Sequence, residues 1–382
     1  MPIFTESLPL ALYVHIPWCV QKCPYCDFNS HASKDRLPEE LYVSALLQEL
    51  ERHAAALRHR PLVSIFFGGG TPSLFSGMAI AAILNGVAKH LQLPAHTEIT
   101  LEANPGTVDQ VNFHDFRAAG INRLSLGVQS LQDDKLKTLG RIHGREQALQ
   151  AASIARKSGF DNFNLDMMFG LPAQSINEAL QDLHDAIACA PTHFSWYQLT
   201  IEPNTLFYHQ RPTLPPDETI WQMQLAGQEF LQQRGYAQYE VSAYAQPGKE
   251  CAHNRNYWEF GDYLGIGAGA HSKITDVVTG EVTRFAQVRH PKDYLDAAKR
   301  RQMEVKIIAE KDLVFEFMLN ALRLTDGVPA SLFSARTGVP LSHVEPMLIQ
   351  AQEKGLLEKN NEIILPTELG KKFLNDLVAM FL

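Results

Sequence analysis

Cysteine is scarce in this chain, with five residues in 382. So few, in an odd number, exclude a disulfide scaffold and fit a reducing compartment in which thiols act as ligands. Long apolar runs are missing too. None reaches the ~18 residues needed to span a bilayer, and Met1–Pro9 lacks both the basic region and the apolar core of a signal peptide. The expected location is therefore cytoplasmic, with no integral membrane segment. Nor is there an excess of positive charge: 34 Lys and Arg stand against 42 Asp and Glu, a net charge of −8. That argues against a general nucleic-acid binder, whose phosphate contacts need a basic surface. The remainder, 45% hydrophobic and 20% charged, is the composition of a globular protein with a sizeable core.

What cysteine there is lies together. Cys19, Cys23 and Cys26 are spaced four and then three residues apart, in a stretch that Pro17 and Pro24 keep from becoming helix. Three thiolates so placed can converge on one metal centre. Zinc would want a fourth protein ligand, and no other Cys or His falls at zinc-finger spacing. A four-iron cluster fits better, because three cysteines leave one iron open to an outside molecule. Cys189, at a helix end in an apolar setting, reads as packing.

The first 200 or so residues alternate short apolar runs with longer amphipathic ones, the pattern of βα units. Strands are predicted near Ala11–Ile16, Leu62–Phe67, Glu98–Ala103, Arg123–Gly127, Asn162–Met167 and His193–Leu199. Helices are predicted over Leu41–Leu57, Gly77–His90, Gln110–Ala119, Arg145–Ser158 and Ser175–Ala188. The fold class is α/β, a partial (β/α)6 barrel over residues 1–205, completed by an α/β extension over 206–305. Barrels of this kind carry their chemistry at the C-terminal ends of the strands. That rim gathers the cysteine loop, Gly68-Gly69-Gly70-Thr71-Pro72, Glu102-Ala103-Asn104-Pro105-Gly106, Gly127-Val128-Gln129-Ser130 and Asp166. Singly, a glycine run reads as a tight turn and a strand-end carboxylate as a cap; their shared position makes them a candidate site. The glycines are expected to let backbone N–H groups approach a small polar ligand.

Residues 306–382 read differently. Helical runs at Leu313–Leu324, Ser331–Arg336 and Leu341–Glu353 precede a hairpin turning at Asn360-Asn361 and a last helix over Thr367–Phe381, a mainly helical, winged-helix-like order. From Met303 onward eight basic residues face eleven acidic ones, which disfavours DNA and favours packing or partner docking, homodimerisation included.

The pairing of Cys19-x3-Cys23-x2-Cys26 with Gly68-Gly69-Gly70-Thr71-Pro72 resembles the radical S-adenosylmethionine (SAM) superfamily, whose open iron binds the amino and carboxyl groups of SAM's methionine part. Tyr13-Val14-His15-Ile16-Pro17, Leu101-Glu102-Ala103-Asn104-Pro105-Gly106, Gly127-Val128-Gln129-Ser130 and Gly140-Arg141-x-His143 narrow the resemblance to the oxygen-independent coproporphyrinogen III dehydrogenase group, over nearly the whole chain. The resemblance implies a [4Fe-4S] cluster on Cys19, Cys23 and Cys26, lined by Tyr13 and Tyr25. It implies that Gly69, Gly70 and Thr71 hold the methionine end of SAM and that Glu102 receives its amino group. Gln129, Arg141 and Asp166 match positions around a second SAM in the dehydrogenases. Gln21 and Lys22 are left as solvated or cluster-tuning residues.

Within that group the dehydrogenases separate from the HemW-type haem chaperones. The dehydrogenases resemble Cys-x3-Cys-x2-Cys-x-Cys, and here the last position is Phe28. Only a dozen residues precede Tyr13, too few for the dehydrogenases' extended N-terminal segment. His253-Asn254-Arg255-Asn256-Tyr257-Trp258 matches the His-Asn-x-x-Tyr-Trp motif of the haem chaperones. The implied function is a haem carrier that serves apo-haemoproteins such as respiratory-chain cytochromes, through transient contact with membrane haemoproteins. The alternative is coproporphyrinogen III dehydrogenation by a 5′-deoxyadenosyl radical. An imidazole can ligate haem iron, and Tyr257 and Trp258 offer flat surface to a porphyrin. On a helix over Ala252–Trp258, His253 and Tyr257 lie one turn apart. Read from residues alone, the motif equally fits a histidine capping a helix beside packed aromatics. Cys251 is a competing ligand and His271 a minor one. Gly265-Ile266-Gly267-Ala268-Gly269-Ala270 is no dinucleotide fingerprint, because Lys273–Phe285 reads as a hairpin around Thr279-Gly280 where that motif needs a helix.

Overall fold

The computed structural model describes residues 2–33, 35–107 and 110–382. One sheet carries twelve strands. Six of them are β1 (Leu10–Ile16), β2 (Leu62–Gly69), β3 (Glu98–Ala103), β4 (Arg123–Gln129), β5 (Phe163–Phe169) and β6 (His193–Gln198). These run parallel in sequence order, each pair joined by helix. The helices are α1 (Glu39–Leu57), α2 (Gly77–His90), α3 (Gln110–Ala119), α4 (Arg145–Lys157) and α5 (Ile176–Ile187). Each falls within a few residues of its predicted span, because apolar periodicity and end signals agree. At α5, Ser175 accepts the Glu178 amide while Glu178 reaches back to Ser175, a capping box. The buried Asp182 of that helix accepts the Ser130 hydroxyl at 2.7 Å and the Leu131 amide at 2.9 Å, anchoring the loop that leaves β4.

Six parallel strands were expected, and the sheet has seven. β9 (Asp262–Ile266) pairs parallel with the free side of β1, Leu10 opposite Asp262. Apolar patterning identifies a strand but not a partner 250 residues away; the open edge of β1 selects it. The antiparallel strands β10 (His271–Thr275), β11 (Val282–Ala286) and β12 (Glu304–Ile307) continue the sheet beyond β9. β7 (Ala237–Glu240) and β8 (Ala243–Ala245) continue it beyond β6.

Strand alternation divides the sheet. Leu10, Leu12, Val14 and Ile16 of β1, with Ile65, Phe67, Leu124 and Leu126, join one buried core with Leu46 and Leu50 of α1. Each such side chain contributes roughly 1.5–3 kcal/mol. The alternate positions, Tyr13, His15, Glu102, Ser125, Asp166 and Tyr197, face the other side, where the cavities lie. A second core, around Leu313, Phe317, Phe333 and Val344, holds the C-terminal helices. There Val328–Pro329 pairs antiparallel with Ile363–Ile364, the small sheet of a winged-helix-like unit. No helix among the described residues is long and apolar enough to cross a membrane.

Candidate functional site

The cysteine loop leaves β1 at the C-terminal rim and is held there by backbone bonds. Gly70 donates to Ile16 at 2.8 Å, Thr71 to Trp18 at 2.7 Å, and His31 to Pro17 at 2.7 Å. The glycine run is needed for this contact. A Cβ on Gly70 would sit 2.5 Å from the Trp18 carbonyl oxygen, and one on Gly69, at φ 116°, 2.6 Å from the His15 ring. Ligand-directed amides were expected here. The structure uses them internally, since the Gly69 amide donates to Glu102 Oε2 at 3.2 Å. The three residues line the cavity without offering it free N–H groups.

That cavity, of 380 Å³, brings together Cys19, Cys23 and Cys26, all free thiols, with Tyr25, Gly69, Gly70, Thr71, Glu102, Gln129, Arg141 and Asp166. Burial pushes the Cys19 and Cys26 thiols up, and hydrogen bonds to Thr71 and Ser30 oppose this. Arg141 Nη1 lies 3.5 Å from Cys23 Sγ and Nη2 donates to the Gly127 carbonyl at 2.6 Å. Gln129 has φ 72°, at a register shift between β4 and β5, and accepts the Tyr197 hydroxyl at 2.8 Å. A bulge at a strand end re-aims a side chain, and here it turns the Gln129 amide into the cavity. Tyr197 and Ser125 also line this wall. Composition did not reveal them; inward alternation along β6 and β4 could have.

The electrostatics of this wall suit a cationic or N–H-donating ligand. Burial pushes the Glu102 carboxyl up to about 8, with Asp166 adding to the shift and the Gly69 amide opposing it. Asp166 is raised by the same burial, against hydrogen bonds from Asn164, Ser195 and Ser125. A positive group between two desolvated carboxyls would ionise them. Free thiols, half-buried carboxyls and Gly-pinned loop together fit a three-cysteine cluster and a ligand bearing an amino group.

Tyr13 lines a second cavity, of 790 Å³, on the other side of the cysteine loop. Phe28, Gly69 and Glu102 belong to both walls. The second also includes Tyr257, Tyr263, His271 and Arg289.

The His253 motif is a helix, α6 (Ala252–Trp258), packed across the N-terminal ends of the strands. Glu98 at the start of β3 accepts the Ala252 and His253 amides at 3.1 and 3.2 Å. His253 is buried, hydrogen-bonds Ser64 Oγ through Nδ1 at 2.9 Å and stacks on Phe66 with ring centroids 4.9 Å apart. Burial, with the Arg123 charge, brings its pKa down to about 3, so the ring is neutral. Among the described residues its Nε2 is buried without a hydrogen-bond partner. Asn254 reaches the Tyr239 hydroxyl at 3.4 Å, and Trp258 lies under the Arg323 guanidinium. Of the four motif residues Tyr257 lines this larger cavity, against Tyr263 with ring centroids 4.4 Å apart. Cys251 is buried beside Glu98.

The glycine turn after β9 passes close to the barrel mouth: a Cβ on Gly267 would lie 2.5 Å from the His15 carbonyl oxygen. Buried Glu49 accepts the Gly267 amide at 3.0 Å, with Gln287 and Tyr294 as further donors. Lys273–Phe285 is the expected hairpin.

Comparison with known proteins agrees with this geometry. Residues 13–186 match the model of the Radical SAM superfamily and residues 308–373 that of the HemN C-terminal domain. The Heme chaperone HemW of Haemophilus influenzae is 50% identical over 378 residues, 98% of each chain. That of Escherichia coli is 50% identical over 374 residues, again 98% of each, and that of Bacillus subtilis 33% identical over 379. Among solved structures, Escherichia coli coproporphyrinogen III oxidase (HemN), described as a radical SAM enzyme, aligns over 98% of this chain and 90% of its own. Its TM-score is 0.82 at 22% identity, a likeness of fold. Superfamily membership implies a [4Fe-4S] cluster and SAM. With half of its residues shared over essentially full length, the chain belongs to the HemW-type haem chaperones of the radical SAM superfamily.

Proposed function

We propose that this protein is a cytoplasmic haem carrier that binds haem and passes it to apo-haemoproteins such as respiratory-chain cytochromes, with cluster and SAM serving assembly or switching. The single observation that carries this reading is the pair of cavities meeting at Phe28. The smaller has the thiols and carboxyls for a cluster and an amino-acid ligand; the larger, within the size range of cofactor sites, is walled by tyrosines. One chain thus has separate room for both. Cys19, Cys23 and Cys26 would hold the cluster, which supplies an open coordination position when bound. Tyr25, Gly69, Gly70 and Thr71 would shape the space beside it. Glu102 would accept the amino group, while Gln129, Arg141 and Asp166 would close the far wall. Tyr13 and Tyr257 would contact the porphyrin, whereas His253, Asn254 and Trp258 would reach it only if α6 moved.

Phe28 supports the carrier reading on this chain's own residues. Its ring is 60% exposed at the junction of the cavities, where a fourth cysteine of the loop would stand in the dehydrogenases. Anaerobically reconstituted protein should shift the Soret band of added haemin. Given coproporphyrinogen III, SAM and a reductant, it should form no protoporphyrinogen. Clear turnover of coproporphyrinogen, or no haem binding, would sink the proposal.

A further inference from the structure

Among the described residues, several histidines near the sheet's polar face are held by packing or hydrogen bonds. His15 hydrogen-bonds the Tyr13 hydroxyl and the Asn29 carbonyl, His253 is packed on Phe66, and His193 joins Asn164 to Tyr239. His271, at the start of β10, is exposed on the wall of the larger cavity, and among the described residues no hydrogen bond or ion pair involves its ring. Arg289 stands exposed on the same wall, and among the described residues its guanidinium has no ion-pair partner. Tyr257 and Tyr263, tilted at 40° with ring centroids 4.4 Å apart, add aromatic surface to the cavity. A ring nitrogen for iron, a guanidinium for a carboxylate and an aromatic wall for a macrocycle are the three things a haem requires.

We infer that the larger cavity is the haem site, with His271 as the axial ligand and Arg289 as the partner of a propionate. This rests on the carrier reading and names its site. The assignment removes the need to unpack α6: His253 and Cys251 are both buried in the barrel floor, whereas the His271 imidazole faces open space. Partial desolvation, with the charges of Arg284 and Arg289, lowers the His271 pKa against the opposing charge of Glu304, which favours the neutral ring that can ligate iron.

The site is also wired to the cysteine loop. Asn29, three residues after Cys26, donates from Nδ2 to the Ala268 and Arg289 carbonyls, both at 2.9 Å, and its own carbonyl meets His15 Nε2 at 2.9 Å. One residue thus joins the end of the cysteine loop to the wall that carries Arg289.

The test uses the full chain and haemin, read by titration of the Soret band and by electron paramagnetic resonance. His271→Ala should weaken binding tenfold or more and change the ligand-field signature; His271→Met should restore a bound ligand with a different signature. Arg289→Ala should weaken binding several-fold with the wild-type signature kept. His253→Ala should keep that signature wherever circular dichroism shows the fold intact. Wild-type signature and affinity in His271→Ala overturn the assignment while leaving the carrier reading standing, as does a signature change confined to His253→Ala. Failure of the wild-type protein to bind haemin overturns both.

Discussion

The two ends of this barrel are both built from buried polar groups, and they are built to opposite purposes. At the floor polar groups are packed against one another with no open space beside them. Glu98 meets the amides of α6 and lies 3.9 Å from Arg123, while His193 bridges Asn164 and Tyr239 at 2.7 and 2.9 Å. At the rim Glu102 accepts the Gly69 amide, Gln129 is held at positive φ, and desolvation keeps the carboxyls above their usual range. Polar groups packed with no space beside them specify structure; desolvated carboxyls on a cavity wall are poised for a ligand. Polar residues that look alike in the sequence thus divide by whether a cavity adjoins them.

That contrast can be broken at several points. The largest effect belongs to the rim. Cys19→Ser, Cys23→Ser or Cys26→Ser should abolish iron and sulfide uptake on reconstitution, while the unfolding free energy of the cluster-free chain changes by about 1 kcal/mol or less. A collapse in stability would show that the thiols are core residues. At the floor the balance reverses. Glu98→Ala leaves Arg123 buried without its counter-charge and the first amides of α6 unmet, and should cost about 3–5 kcal/mol in urea unfolding. Little loss of stability there would mean that the floor is not the structural end.

Smaller effects sharpen the rim. With Glu102 protonated below about 8 in the ligand-free chain, pairing it to a positive or N–H-donating ligand requires release of a proton. SAM affinity of the reconstituted protein should therefore rise with pH, by up to about tenfold per unit, and level off above 8. Glu102→Gln should flatten that profile in isothermal titration. Glu49, the acid under the glycine turn, is raised by burial to about 7 against hydrogen bonds from Tyr294, Gly267 and Gln287. A carboxyl raised on folding contributes stability that is complete below its unfolded value and is lost as pH climbs through the folded one. Wild type should lose on the order of 2 kcal/mol relative to Glu49→Gln between pH 5 and 8. Parallel pH profiles for the two proteins would remove Glu49 from the account.

The six βα units, the cysteine loop and the rim residues were legible because each is a local matter. Apolar periodicity and a capping box such as Ser175–Glu178 mark the helices, and a strand end can be counted to its loop. Asn29 and Arg289 carry no signal of that kind. Each matters through a partner or a cavity assembled from distant segments, and their residue types are ordinary for loops.

By itself the sequence determined the α/β alternation, the three-thiol loop and which residues would stand at the strand ends, since these follow from spacing and from the two-residue period of a strand. Only the tertiary structure decided that β9 would close against β1, and that the Gly70 and Thr71 amides would bind Ile16 and Trp18. It alone set His253 in the packed floor and His271 on an open wall. An imidazole becomes a ligand or a core group according to what lies against its ring, and that is a property of the assembled fold.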